Sequence, residues 1–113
     1  MESIVQFIES LGGLHDAALL ELFWCPATRS LEIEIDDIYS VFEGLPEYQG
    51  PTKARFVFSG VSKLNLGVDL VDSPYFYDWI FTKAGTTNCD LLFWPSGKIT
   101  VECSRIECVK EST

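Results

Sequence analysis

His15 and Asp16 are the first residues of this chain with the makings of a chemical site. His15 is the only histidine among the 113 residues, and a carboxylate stands next to it. An imidazole beside a carboxylate can be an oriented general base or part of a metal site. Either use needs further groups. A metal site built on adjacent His and Asp draws on more histidines, and the chain has none. A nucleophilic serine on a strand-to-helix elbow needs G-x-S-x-G, which is absent. The four cysteines, Cys25, Cys89, Cys103 and Cys108, contain no C-x-x-C pair. They read as reduced, mostly buried small residues with no activated thiol. The expectation is a chain without catalytic residues, metal or cofactor.

The carboxylates are the second chemical resource. Residues 1–50 carry ten acids against one base, Arg29, whereas residues 51–113 balance, so the whole net charge of −9 lies in the first half. Such a surface repels nucleic acid, which requires basic footprints, and repels anionic membranes. It suits a basic protein partner. No apolar run approaches the ~20 residues of a membrane span. The start, MESIVQFIES, has Glu2 and Glu9 and no base, unlike a secretory leader, so a cytoplasmic location is expected.

The elements that must position these residues follow from periodicity. Ile4, Val5, Phe7, Ile8 and Leu11 are spaced for one face of a helix over residues 2–10, which Gly12-Gly13 ends. From Asp16 the apolar run DAALLELFW reads as a strand, closed by Pro26. SLEIEIDD, residues 30–37, alternates apolar and acidic positions and reads as a half-buried strand. The four-residue PATR connection makes a hairpin. With Cys25 opposite Ser30, the pairs are Trp24–Leu31, Leu22–Ile33 and Leu20–Ile35 on the apolar face. The other face pairs Phe23 with Glu32, Glu21 with Glu34 and Leu19 with Asp36. This gives an acidic ridge of Glu21, Glu32, Glu34 and Asp36, with Asp37 at its end. On a strand, His15 and Asp16 would point to opposite faces. Their simplest role is at the junction where helix gives way to sheet.

Further strands are expected at 53–60, 62–69, 75–82, 90–94 and 98–104, with turns at Asp72–Pro74, Ala84–Asn88 and Pro95–Gly97. The aromatic run YFYDWIF (75–81) is apolar on both parities and is expected in the core, exposed interface aromatics being the alternative. Together these give one domain, residues 1–113, of the α+β class and mainly β. It comprises a short N-terminal helix and a six- to seven-stranded antiparallel meander, as a curved sheet or a sandwich.

Two stretches carry a family resemblance: LHDA (Leu14–Ala17) before an apolar strand, and the acidic Asp36-Asp37 end followed by FEGLPEYQGP (Phe42–Pro51). Over its first half the chain resembles small bacterial domains with an "HD[AS]" start. Some of these are similar to the immunity-protein-50 group, proposed partners of polymorphic toxins. The resemblance implies a non-enzymatic binding domain with His15 and Asp16 as its marker positions. The function expected from residues and resemblance together is binding of a basic protein, in the manner of an immunity-type inhibitor. The surface would comprise His15, Asp16, Glu21, Glu32, Glu34, Asp36 and Asp37. A structural or homodimer-forming domain is the alternative, and a small hydrolase stands behind both.

Overall fold

A computed structural model describes residues 4–48, 50–68, 74–81, 88–94 and 96–110. A helix α1 (Ile4–Ser10) leads into a 3-10 turn at Gly12–Leu14. Among the described residues eight strands follow: β1 (Leu19–Cys25), β2 (Ser30–Ile35), β3 (Ala54–Ser59), β4 (Lys63–Val68), β5 (Tyr75–Phe81), β6 (Asn88–Trp94), β7 (Gly97–Glu102) and β8 (Arg105–Lys110). They form two antiparallel four-stranded sheets, ordered β1-β2-β3-β8 and β4-β7-β6-β5. The mainly-β expectation holds, but the single meander of six or seven strands does not. The chain leaves the first sheet after β3 and returns to it only with β8. Among the described residues, no helix is long and apolar enough to cross a membrane. Most of the expected turns at Ala84–Asn88 and Asp72–Pro74 lies outside the described residues, as do Pro95 and the expected strand ends at 69 and 82.

The strands bend together at the change of sheet. β3 pairs with β8 and β4 with β7, so two long ribbons turn one corner side by side. Across the corner, the Ser104 amide donates to Ser59 O at 2.9 Å and the Ser62 amide to Glu102 O at 2.8 Å. Gly60 makes the bend possible. Its φ is +63°, and a Cβ there would collide with Ser104 Oγ. The sequence reading ends the last strand at Ser104. The chain instead turns at Cys103-Ser104 and adds β8, an edge strand that carries Arg105, Glu107 and Lys110. Charged edges of this kind resist pairing with other chains.

Alternation decides what lies between the sheets. Leu31, Ile33 and Ile35 of β2 and Ala54, Phe56 and Phe58 of β3 are fully buried, as are Leu91 of β6 and Ile99 and Val101 of β7. Trp79 of β5 links the layers. Its ring lies 5.0 Å from Phe56, edge-on, and is stacked 5.8 Å from Phe58, both on the opposite sheet. Phe76 and Phe81 flank it within its own strand. Such aromatic pairs add to the area they bury. Ile8 of α1 closes one end of the same core.

The hairpin register is as read from Cys25–Ser30 through Glu21–Glu34, then slips. A bulge at Leu20 places Leu19, not Leu20, opposite Ile35. Leu20 is left exposed, and Asp36 lies beyond the ladder. Sheet pairing also begins later than Asp16: β1 starts at Leu19. Before it, Asp16–Leu19 lie along β5. The Asp16 amide donates to Phe76 O, the Phe76 amide to Ala17 O and the Leu19 amide to Pro74 O. The two sheets are thereby stitched along one edge.

Candidate functional site

His15 and Asp16 sit in a turn, not on a strand. Gly12, Gly13, Leu14 and Asp16 all have positive φ. Gly13 is the position with least choice, because φ is +68° and a Cβ would strike the Asp78 carboxylate. The turn brings His15 Nε2 within 3.5 Å of Asp16 Oδ1, which overturns the opposite-face expectation. The other ring nitrogen, Nδ1, lies 3.0 Å from the Tyr77 carbonyl and so donates to it, leaving the proton off Nε2 in the neutral ring. The Tyr77 ring lies edge-on at 5.8 Å. Both side chains of the pair are exposed, at 46% and 73%. The pair is thus an oriented surface imidazole on the rim of β5. Among the described residues, no group of three His, Cys, Asp or Glu is placed to hold a metal ion.

The acidic residues divide into two sets. Glu21 of β1, Glu34 of β2 and Arg55 of β3 stand in one cross-strand row, because Glu21 pairs with Glu34 and Glu34 with Arg55. Arg55 contacts three carboxylates: Glu32 at 3.3 Å, Glu34 at 3.3 Å and Glu21 at 3.4 Å. Burial pulls the guanidinium pKa down. The hydrogen bond to Glu21 and the charges of Glu34, Glu21 and Glu32 outweigh this and leave it raised. Among the described residues, Glu21 and Glu32, the two more exposed of the three carboxylates, thus share a single guanidinium. Glu21 is 61% exposed, Glu32 about half as much, and Glu34 only 12%. Phe23, 57% exposed, stands opposite Glu32.

Asp36 and Asp37 are used inside the fold. Asp36 Oδ1 accepts from the Ala18 amide at 2.8 Å, and the Asp36 amide donates to Ala18 O at 3.1 Å. This pair of bonds holds the start of β1 just outside the bulge. Asp37 is buried. Its Oδ1 accepts from the amides of Tyr39 and Thr52 at 3.0 and 3.2 Å, and its Oδ2 from the Tyr48 hydroxyl at 2.6 Å. It ties the FEGLPEYQGP loop to the end of β2. Donating that bond pushes the Tyr48 phenol from its ordinary 10.0 up to about 12, with burial and the Asp37 charge behind it. Both aspartates are therefore tied into the scaffold, Asp36 half-buried and Asp37 buried.

Arg55 is the site residue that strand-by-strand reading misses. The signal exists: in KARFVFSG, Phe56 and Phe58 face inward, so Arg55 must share the outward parity with Val57. Carrying the register from β2 to β3 then places it beside Glu34. The YFYDWIF run also divides. Phe76 and Trp79 are core, as expected, but Tyr75, Tyr77 and Ile80 are exposed. A bulge between Phe76 and Asp78 produces the division by inserting a residue. Tyr75 pairs across the ladder with Trp94, itself 63% exposed, so an aromatic patch forms beside His15.

The thiols also differ. Cys89 is pushed up to about 12 and Cys108 to about 11, both by burial. Cys25 is lowered by hydrogen bonds from Thr28, against the expectation that no thiol would be. No protein-family model matches the chain, and no curated protein matches it.

Proposed function

We propose that this protein is a non-enzymatic binding module that docks the outer face of β1-β2-β3 onto a basic protein, in the manner of an immunity-type inhibitor. The observation that carries this reading is the make-up of the outer face: the exposed Glu21 and half-buried Glu32 share the Arg55 guanidinium, and the exposed ring of Phe23 stands opposite Glu32. A partner's lysine or arginine completes the charge balance, and Phe23 supplies an apolar anchor. The LHDA and FEGLPEYQGP resemblance belongs to the same proposal, as does toxin neutralisation.

The test is affinity capture from the native host, with wild type, Glu21→Gln/Glu32→Gln and Phe23→Ser as baits. These positions are exposed enough to change without unfolding the domain. The expected result is a basic protein held by wild type at low salt, released at high salt and lost from both variants. A protein retained equally by all three baits, or insensitive to salt, overturns the reading. An immunity role adds that the captured protein is toxic alone and harmless when this chain is co-expressed.

A second reading, self-association, is favoured by the exposed Tyr75, Tyr77 and Trp94 on the other sheet. It predicts a dimer in sedimentation that Tyr77→Ser/Trp94→Ser dissociates. A monomer at all concentrations rejects it.

A further inference from the structure

At the corner where β3 passes into β4, an open depression of about 400 Å³ lies beside the β1–β2 hairpin. That volume lies within the range of small-molecule sites, about 300–1,000 Å³. Its walls come from two places. The β1–β2 hairpin contributes Trp24 and Arg29; the β3–β4 corner and β4 contribute Val61, Lys63, Leu64 and Leu66. The lining is aromatic and aliphatic with two cations, in a chain whose net charge is −9.

Two further observations mark the cleft as a site. Arg29 is the only base in the first 50 residues, and it occupies a left-handed backbone position, φ +51°. A side chain is strained there, and glycine or asparagine would be the easy choice. The strained backbone is pinned to the corner, since the Val61 amide donates to Arg29 O at 2.9 Å. Second, among the described residues neither Arg29 nor Lys63 is within ion-pair distance of a carboxylate, although Glu102 stands opposite Lys63 in the ladder. By contrast, Arg55 and Arg105 both bind glutamates. Among the described residues, the acid-rich half of the chain thus presents its one basic side chain without an ion pair, at the lining of a largely apolar depression.

We propose that this cleft binds a small amphiphilic carboxylate. The aliphatic tail lies against Trp24, Leu64 and Leu66, and the carboxylate meets the Arg29 guanidinium, with Lys63 as second cation. The fork of an arginine matches a carboxylate in two hydrogen bonds, and the apolar walls cover part of the tail.

The test uses the full-length, isotope-labelled chain and three probes: decanoate, decanol and acetate. Amide and indole resonances are followed during titration. Saturable shifts are expected with decanoate at Trp24, Arg29 and residues 61–66. Decanol should bind about tenfold or more weakly, and acetate should not saturate. Arg29→Gly suits the positive φ and so should fold at least as well as wild type, while decanoate affinity falls to that of decanol. Arg29→Lys should restore part of the preference. The proposal is overturned if decanol binds as tightly as decanoate, if Arg29→Gly leaves the affinity unchanged, or if no probe saturates. It is also overturned if the shifts centre on Tyr75, Tyr77 and Trp94, because the tail is then adsorbing to the exposed aromatic face.

Discussion

Glu34 is separated from Asp36 by one residue and Glu32 by three, yet the glutamates and the Asp36-Asp37 pair do different work. The glutamates project from a strand face and share one guanidinium with Glu21. The aspartates lie past the end of the ladder, where main-chain amides and a phenol meet them with neutral donors. The donor therefore decides the role. A carboxylate satisfied by amides is part of the scaffold. A carboxylate that shares a cation with its neighbours on an open strand face stays part of the surface. The length of the side chain assists, because a short aspartate reaches its own local backbone while a glutamate extends over the sheet.

The contrast breaks most severely at Asp37. Asp37→Ala leaves three donors without their acceptor in a buried position, and a loss of about 2–4 kcal/mol in stability is expected by urea denaturation. A loss under ~0.5 kcal/mol, the level of an ordinary surface change, would place Asp37 with the exposed acids after all. Arg55→Leu comes next. It leaves three carboxylates facing one another, and about 1–2 kcal/mol is expected, discounted because the guanidinium is 29% exposed. Adding Glu21→Gln and Glu32→Gln should return part of that loss. A double-mutant cycle showing no coupling would mean that Arg55 acts through packing alone.

The Tyr48–Asp37 bond sharpens the comparison through pH. The folded-state value, about 12, lies above the ordinary 10.0, so the bond's stabilisation is complete below pH 10 and fades as pH rises through 12. Ultraviolet titration should show one tyrosine ionising earlier in Asp37→Asn than in wild type. Identical titrations of the two proteins would contradict the bond. The smallest effect is at Glu21, where Glu21→Gln should alter stability by less than ~0.5 kcal/mol while weakening capture of a basic partner. A large stability change there would make the ridge scaffold rather than surface.

The aromatic run repeats the lesson in apolar form. Trp79 and Tyr77 are two residues apart in YFYDWIF, and simple alternation gives them one face. The bulge between Phe76 and Asp78 separates them, leaving Trp79 in the core and Tyr77 on the surface. A bulge is a backbone event with no side-chain signature in this stretch, so pattern reading cannot place it. The Leu20 bulge shifted Leu19 and Asp36 in the same way.

The sequence by itself determined the elements whose signals are local. Alternation in SLEIEI wrote β2, the PATR turn set the register from Cys25–Ser30 to Glu21–Glu34, and Gly12-Gly13 ended the helix. Each of these rests on sterics and burial within a few residues. Only the tertiary structure decided that the strands form two sheets, because that depends on how paired ribbons bend at Gly60 and Ser104, residues distant in sequence. It alone brought Arg55 to the three glutamates, and it alone set the lone Arg29 at a cleft walled by β4. It also turned Asp37 from a ridge residue into a loop anchor. A carboxylate's neighbours in space are fixed by non-local pairing, which no window along the chain contains.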